Sequence, residues 1–318
     1  MNEFEFLSKY IRPILQSGVD SENDDAAHVY FPKSYLIATK DVLVEGVHFM
    51  KSAKPTLLAK KALRVSLSDI AAMGAIPHSY LLGISLPKGI TEEWCEEFSC
   101  GLKEDNDNFD IKLVGGDTTS NTSDIIVISI TALGVPGKSI LSRSNAKVGD
   151  SLYVSGTIGD AALGLLSYQQ LISGEYPYLK YRYDLPIPRV GLGRLLCGVA
   201  SSCIDISDGL LQDVERVCKL SGVGANIYAR AIPLSEEAQI ITSINKNMFE
   251  HAITGGDDYE LAFTVPEENI QTLLGIERST NVKISKIGTI TPEKKVRIYT
   301  QDGAEIHVSK KGYIHSFD

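Results

Sequence analysis

Pro136-Gly-Lys-Ser-Ile-Leu-Ser-Arg-Ser-Asn-Ala-Lys-Val-Gly-Asp150 decides how this chain divides. The stretch is polar and punctuated by proline and glycine, so it reads as a connector. A strand pattern, Asp124 to Gly134, precedes it, and a new one, Ser151 to Ser155, follows. We therefore expect an N-terminal domain over residues 1–140 and a C-terminal domain over residues 141–318. The length agrees, since about 150 residues per domain predicts two domains for 318 residues.

Upstream, the apolar spacing of Glu3 to Leu15 predicts a helix that ends at Gln16-Ser17-Gly18. Short apolar runs at Tyr35 to Ala38 and Val42 to Phe49 predict strands. Pro55 to Met73 predicts a long helix, with Pro55 in its first turn and Gly74 just past its end. A strand at Ser79 to Leu86, a helix from Thr91 to Asn106 and a strand at Ile111 to Val114 complete this half. Downstream, the pattern gives a helix over Ile158 to Ser173 and a tyrosine-rich connector over Tyr176 to Tyr183. Helices at Val190 to Ala200 and Leu210 to Leu220 follow. Strands are expected at Ala225 to Tyr228, Tyr259 to Val265, Ile284 to Ile290 and Val296 to Tyr299. Strands and helices mix without strict alternation, which predicts an α+β class: two mixed sheets, each with helices packed on it.

The chain is acidic, with 31 Lys and Arg against 40 Asp and Glu and a formal net charge of -9. No broad basic face for nucleic acid is expected. Phosphates, if bound, need bound cations beside these carboxylates. The longest apolar run, Ile125 to Val135, is far short of the roughly 20 residues of a membrane span. The start, Met1-Asn2-Glu3-Phe4-Glu5-Phe6, lacks the basic opening of a secretion signal. Five cysteines without CxxC spacing read as reduced thiols of a cytoplasmic protein.

Aspartates gather with glycine near strand ends. The clusters are Asn23-Asp24-Asp25, Thr39-Lys40-Asp41, Gly115-Gly116-Asp117-Thr118-Thr119, Asp205-Ile206-Ser207-Asp208-Gly209 and Gly255-Gly256-Asp257-Asp258. Such hard oxygen ligands suit Mg²⁺, which takes one or two carboxylates and fills its shell with water and phosphate oxygens. Asp-Gly and Gly-Gly-Asp are also ordinary turn signals, and Ser207 or Asp208 is placed to cap the helix near Leu210. Asp69 is harder to explain as structure: it lies among Ile70, Ala71, Ala72 and Met73, where an uncompensated carboxylate is costly. His48 has packing as its bland reading, and Arg143 a solvated loop. As a functional residue, Arg143 suits the planar clamping of a phosphate. Gly137-Lys138-Ser139 mimics the end of a phosphate loop, but the required first glycine is Ala132 and no helix pattern follows. The H-R-D and D-F-G kinase set is absent.

Six segments, in order, resemble the thiamine-monophosphate kinase family. They are Val44-Glu-Gly-Val-His-Phe49, Leu67-Ser-Asp-Ile-Ala-Ala-Met-Gly-Ala75, Gly115-Gly-Asp-Thr-Thr119, Ile204-Asp-Ile-Ser-Asp-Gly-Leu210, Gly255-Gly-Asp-Asp-Tyr-Glu-Leu261 and Gly312-Tyr-Ile-His-Ser-Phe317. The resemblance implies a two-domain α+β protein of the aminoimidazole-ribonucleotide-synthetase-like superfamily, dimeric through N-terminal sheets that join into a barrel. It also implies transfer of the ATP γ-phosphoryl onto thiamine monophosphate with several Mg²⁺ ions. By this resemblance Asp25, Thr39, Lys40 (through its carbonyl), Asp41, Asp69, Asp117, Asp205 and Asp208 fall at metal positions. Gly116, Asp117, Arg143 and Ser207 fall at nucleotide positions, and His48, Asp257 and Tyr313 at substrate positions.

The chain departs from the family pattern at Ser21-Glu22-Asn23, Lys40, Ser66 and Asp257, the last standing where a glutamate is usual. Within the superfamily, selenophosphate synthetase needs an early reactive cysteine, whereas the first here is Cys95. The hydrogenase-maturation dehydratase ends in a cysteine, whereas this chain ends His315-Ser-Phe-Asp318. An aminoimidazole-ribonucleotide-synthetase-like enzyme and a non-catalytic nucleotide-binding dimer are the remaining alternatives.

Overall fold

The computed structural model of the chain describes residues 26–31 and 34–316. The expected helix Glu3 to Leu15 and the candidate ligand Asp25 lie outside them. The first half runs β1 (Ala27–Phe31), β2 (Ser34–Val44), α1 (Pro55–Ala72), β3 (Ile76–Leu86), α2 (Glu92–Phe109), β4 (Lys112–Ser120) and β5 (Val127–Val135). Its sheet has the order β1-β2-β5-β3-β4, antiparallel except for β3 and β4, which pair in parallel across the α2 crossover.

The second half begins with β6 (Ser151–Ser155), α3 (Asp160–Tyr168), α4 (Pro177–Asp184), α5 (Val190–Leu196), β7 (Ser202–Asp205) and α6 (Leu210–Ser221). It continues with β8 (Gly224–Tyr228), α7 (Glu236–Ile244), α8 (Asn247–Thr254), β9 (Leu261–Val265), α9 (Ile270–Thr280), β10 (Ile284–Thr291), β11 (Val296–Tyr299) and β12 (Glu305–Ile306). These strands form a second sheet in the order β12-β11-β8-β10-β6-β9-β7. The α+β class, with two mixed sheets, is as the sequence predicts. No described helix is long and apolar enough to cross a membrane.

Several element boundaries differ from expectation for local reasons. The strand expected to run to Phe49 stops at Val44, because the amides of Val47 and His48 turn back onto the Val44 carbonyl at 3.1 and 2.9 Å. The Asp117 cluster, expected to follow a strand ending at Val114, is itself strand, since β4 pairs with β3 as far as Ser120. The tyrosine-rich connector is the helix α4, opened by Pro177 at its first turn. Helices α7, α8 and α9 and strands β1, β7 and β12 are not foreseen from the sequence.

Helix α1 joins the halves. Leu58, Leu63, Leu67 and Ile70 pack into the first core with Ile128 and Ile130 of β5. Ala71 and Ala72 pack instead with Leu192, Leu196 and Phe263 of the second half. The helix is buried on most of its surface, so the polar residues among its buried positions, Lys61, Ser66 and Ser68, stand out. The contact with α5 is backbone-close: a Cβ at Gly193 would lie 2.0 Å from the Ala71 carbonyl oxygen.

Candidate active site

The polar residues of α1 organise the site. At spacings of four and three, Lys61, Val65 and Ser68 share one helical face, and Ser66 and Asp69 flank it. The Ser66 hydroxyl donates to Asp41 on β2 at 2.6 Å, and the Thr39 hydroxyl donates to Asp69. The Ser68 hydroxyl donates to Asp205 at the end of β7 at 2.8 Å. One helical turn thus aligns three carboxylates drawn from both halves of the chain. Burial raises the Asp41 carboxyl above its ordinary value, with Ser66 and then Lys40 opposing.

The two C-terminal aspartate clusters meet because β7 and β9 pair and the loops beyond them continue to bond. The Tyr259 amide donates to the Ile206 carbonyl at 2.9 Å, and the Asp257 amide to the Ser207 carbonyl at 2.8 Å. The side chains of this stretch then alternate. Asp257 and Tyr259 face a cavity of about 390 Å³. Asp258 and Glu260 point into the protein, Asp258 accepting from the Gly159 amide and Glu260 from Arg182, Arg189 and Ser155. The Tyr259 phenol is pushed well above its ordinary pKa by burial, then by the carboxylates of Asp257, Asp41 and Asp205.

Lys40, Asp41, His48, Ser207, Asp208, Asp257 and Tyr313, all singled out from sequence, line this one cavity. Thr39, Asp69 and Asp205 are not among the lining residues: Thr39 precedes Lys40 on β2 and bonds Asp69, and the Asp205 carboxylate acts on Tyr259, which lines the cavity. The Lys40 ammonium reaches across the sheet to Ser129 and Thr131. His48 accepts the Val44 amide on Nδ1 at 3.1 Å, and burial lowers its pKa, with Asp257 opposing. Tyr313 is held by its own amide on the Asp208 carbonyl and by Gln212 on its carbonyl, both at 2.9 Å. This brings His315 to 5.3 Å from His48, ring centre to ring centre.

The loop Ser207-Asp208-Gly209 is fixed from below. Neither Ser207 nor Asp208 caps α6 as expected; instead Asp213, one turn inside that helix, accepts all three loop amides at 3.1 to 3.2 Å. Burial raises the Asp213 carboxyl to about 7, opposed by Arg216 and Arg143, while Asp208 adds to the rise. Arg216 also pairs with Asp208 at 2.5 Å. Arg143 therefore stands beside the Ser207–Asp208 loop.

Gly116 and Asp117 are not brought to the cavity within one chain. They sit on the exposed edge strand β4, three strand spacings from β2, or roughly 14 Å at about 4.8 Å per step. A Cβ at Gly116 would fall 1.9 Å from the Leu82 carbonyl oxygen, which gives that glycine a packing reason.

The sequence reading passed over Lys61, Tyr183, Arg182, Arg189, Asp213 and His315. Two of these carried a signal. Lys61 is a charge on the apolar face of a helix, and His315 follows Tyr313 by two residues.

The donor set around α1 is all hard oxygen. Among the described residues, no three His, Cys, Asp or Glu side chains close into a cage for one ion. Mg²⁺ fits such a set, because it needs only one or two carboxylates and leaves the other positions to water and phosphate.

Residues 23–136 match the family described as AIR synthase related protein, N-terminal domain, and residues 147–301 match the corresponding C-terminal domain. The thiamine-monophosphate kinase of Salmonella typhimurium is 37% identical over 325 residues, covering 98% of each chain. That of Bacillus subtilis is 33% identical and covers 99% of each. Among solved structures, AaThiL complexed with AMPPCP and TMP superposes with a TM-score of 0.86 at 31% identity, covering 99% of this chain and 97% of its own. The Stenotrophomonas maltophilia K279a thiamine-monophosphate kinase gives a TM-score of 0.79 at 36% identity, covering 92% of each. The chain therefore belongs to the thiamine-monophosphate kinase family, and it is a phosphotransferase.

Proposed function

We propose that the chain phosphorylates thiamine monophosphate with ATP, giving thiamine diphosphate and ADP. The observation that carries this reading is that one turn of α1 gathers Asp41, Asp69 and Asp205 from both halves, with Asp41 lining the cavity that Asp208 and Asp257 also line. An acceptor phosphate oxygen is already anionic near neutral pH, so the reaction needs no strong base. The obstacle is repulsion between two polyanions. A phosphoryl acceptor that is itself a phosphate thus explains a site rich in aspartate.

In this reading Asp41, Asp69, Asp205 and Asp208, with Thr39, the Lys40 carbonyl and Asp25, hold Mg²⁺. When bound, Mg²⁺ neutralises the facing phosphates and aligns them. The protein residues position the reactants. His48, Asp257 and Tyr313 hold the acceptor, and Arg143 with the Ser207 loop holds the nucleotide. An acceptor oxygen then bonds to the γ-phosphorus as the bond to the β-bridging oxygen breaks, and ADP leaves with that electron pair. Tyr313 and His315, from the segment Gly312 to Ser316, line the cavity on the acceptor's side.

We also place the domain division between residues 136 and 150, and propose a homodimer in a reducing, cytoplasmic compartment. Gly116 and Asp117 enter the ATP site in this reading by lying at the edge along which a second copy adds. The sheet face away from the helices supports that partner. It carries Val42 and Leu81, which are exposed, and Ser129 and Thr131 beneath Lys40. All five cysteines are free thiols, as a reducing compartment requires.

The test is ADP release in a coupled assay, with thiamine monophosphate present or absent and Mg²⁺ present or chelated. ADP release that depends on both is expected. Nucleotide binding without acceptor-dependent ADP would support the non-catalytic dimer instead.

A further inference from the structure

Lys61 is 2% exposed in the middle of α1, and its ammonium is fully engaged. One N–H donates to the Tyr183 carbonyl at 2.9 Å and another to Asp257 Oδ2 at 2.9 Å. The Tyr183 ring centre lies 3.8 Å from Nζ, which places the remaining positive edge on a π face. An ammonium has three donors, and all three are accounted for. Although Lys61 lines the cavity, its ammonium is thus already held by protein groups on its several sides.

Its acceptor is the reverse case. Asp257 adopts φ +66, a left-handed backbone that aspartate tolerates at some cost. Its Oδ1 accepts the Tyr259 hydroxyl at 2.9 Å while Oδ2 accepts Lys61. The carboxylate is pinned through both oxygens, yet its side chain keeps 26% exposure and its outer lone pairs face the cavity. Lys61 belongs to the first half of the chain and Asp257 to the second, so the pair also ties the carboxylate's position to the closeness of the halves.

We infer that Lys61 is the positioning residue of the acceptor subsite, an ammonium that acts by holding Asp257 aimed at the substrate. The inference rests on the reading above, in which Asp257 contacts the acceptor. Because aspartate is one methylene shorter than glutamate, a displaced Asp257 has little reach with which to recover the contact.

The test measures steady-state kinetics of wild type, Lys61→Met, Lys61→Gln, Asp257→Asn and the Lys61→Met/Asp257→Asn double variant, with thermal unfolding of each. Lys61→Met is expected to raise KM for thiamine monophosphate by roughly 10- to 100-fold, as loss of a supporting partner does, and to leave KM for ATP within about twofold. The double variant should be no worse than Asp257→Asn alone, because both changes remove one contact. Lys61→Gln, which keeps a donor, should recover part of the loss and supplies the reading if the methionine variant fails to fold. An unchanged acceptor KM, an equal rise in both KM values, or additive effects in the double variant overturns the inference. A wild type that releases no ADP with thiamine monophosphate overturns the underlying reading, a result distinguishable because it precedes any substitution.

Discussion

The hydroxyl of Ser68 on α1 donates to the carboxylate of Asp205 at the end of β7, 2.8 Å away, across the junction between the two sheets. Both residues are buried. The bond does for the second half what the Ser66 bond to Asp41 does for the first. Serines two positions apart on one helix thus set carboxylates from distant parts of the chain at fixed places.

Replacing Ser68 with alanine removes that donor and leaves a buried Asp205 oxygen to find another. A loss of about 1–3 kcal/mol is expected, the desolvation cost of a buried acceptor deprived of its partner. Urea denaturation at neutral pH measures it. A stability equal to wild type would mean that water replaces the hydroxyl without loss.

Asp69→Asn separates chemistry from fold. The amide oxygen still accepts the Thr39 hydroxyl, so the local structure is preserved. The negative charge needed at a metal position is gone. A fall in kcat of at least roughly 10²- to 10³-fold is expected, the scale of losing one preorganised electrostatic group, with an unchanged melting temperature. Stopped-time ADP assays and calorimetry together decide it.

Gly193→Ala tests the seam between the halves. The added Cβ would lie 2.0 Å from the Ala71 carbonyl oxygen and 2.8 Å from its carbon, both backbone atoms that no side-chain rotation can move away. Overpacking of this kind costs about 1–3 kcal/mol. The loss should be larger than for Gly191→Ala, two residues away on the same helix, where nothing lies within 4 Å. Comparing the two urea midpoints controls for helix propensity, since alanine is favoured over glycine at both sites.

How far the sequence foretold these features depends on the range of the interactions involved. Helix α1 was legible from Pro55 to its end because apolar periodicity and the proline and glycine punctuation are local signals. Asp69 stood out because a carboxylate among Ile70, Ala71 and Met73 conflicts with its neighbours. The split of the Gly255–Glu260 stretch was not legible. Whether Asp257 or Asp258 faces the cavity depends on how the loop pairs with Ile206 and Ser207, some fifty residues earlier in the chain. The role of Asp213 was hidden for a similar reason, since serine and aspartate ahead of a helix advertise a cap. Here an internal carboxylate took that place. The tyrosines of α4 read as a connector because aromatic residues have weak helix propensity, and packing against α3 overrides it.

His48 gives a pH signature with a definite sign. Burial lowers its folded-state pKa below the ordinary 6.5, and Nδ1 already accepts the Val44 amide. Protonation at Nδ1 would break that bond. The folded protein therefore binds fewer protons than the unfolded chain in the window just below pH 6.5. The stabilisation is complete above that value and is lost as pH falls through the lower folded pKa. An imidazole NMR titration should place the His48 midpoint below 6.5, and the decline in urea midpoint between pH 7 and pH 5.5 should be smaller in His48→Asn.

The last prediction concerns β4. All nine of its residues are exposed, including Leu113 at 44% and Val114 at 60%, and one side of its backbone ladder is unpaired because β3 occupies only the other. An apolar, open edge strand ordinarily acquires charges, a bulge or a cover, since otherwise it recruits further strands. β4 has a bulge at Val114, where its pairing with β3 skips a residue, and charges at Lys112 and Asp117 flanking Leu113 to Gly116, but among the described residues nothing in this chain covers it. A second copy supplies the cover in the proposed homodimer. Light scattering should therefore give twice the 34.6 kDa chain mass. Val114→Lys places a strongly hydrated ammonium where two chains would meet, and is expected to shift the protein to the single-chain mass. Because Val114 makes little contact within its own chain, the melting of the separated chains should remain cooperative. A dimer that survives Val114→Lys unchanged would move the interface away from this edge, and with it the route proposed for bringing Gly116 and Asp117 to the nucleotide.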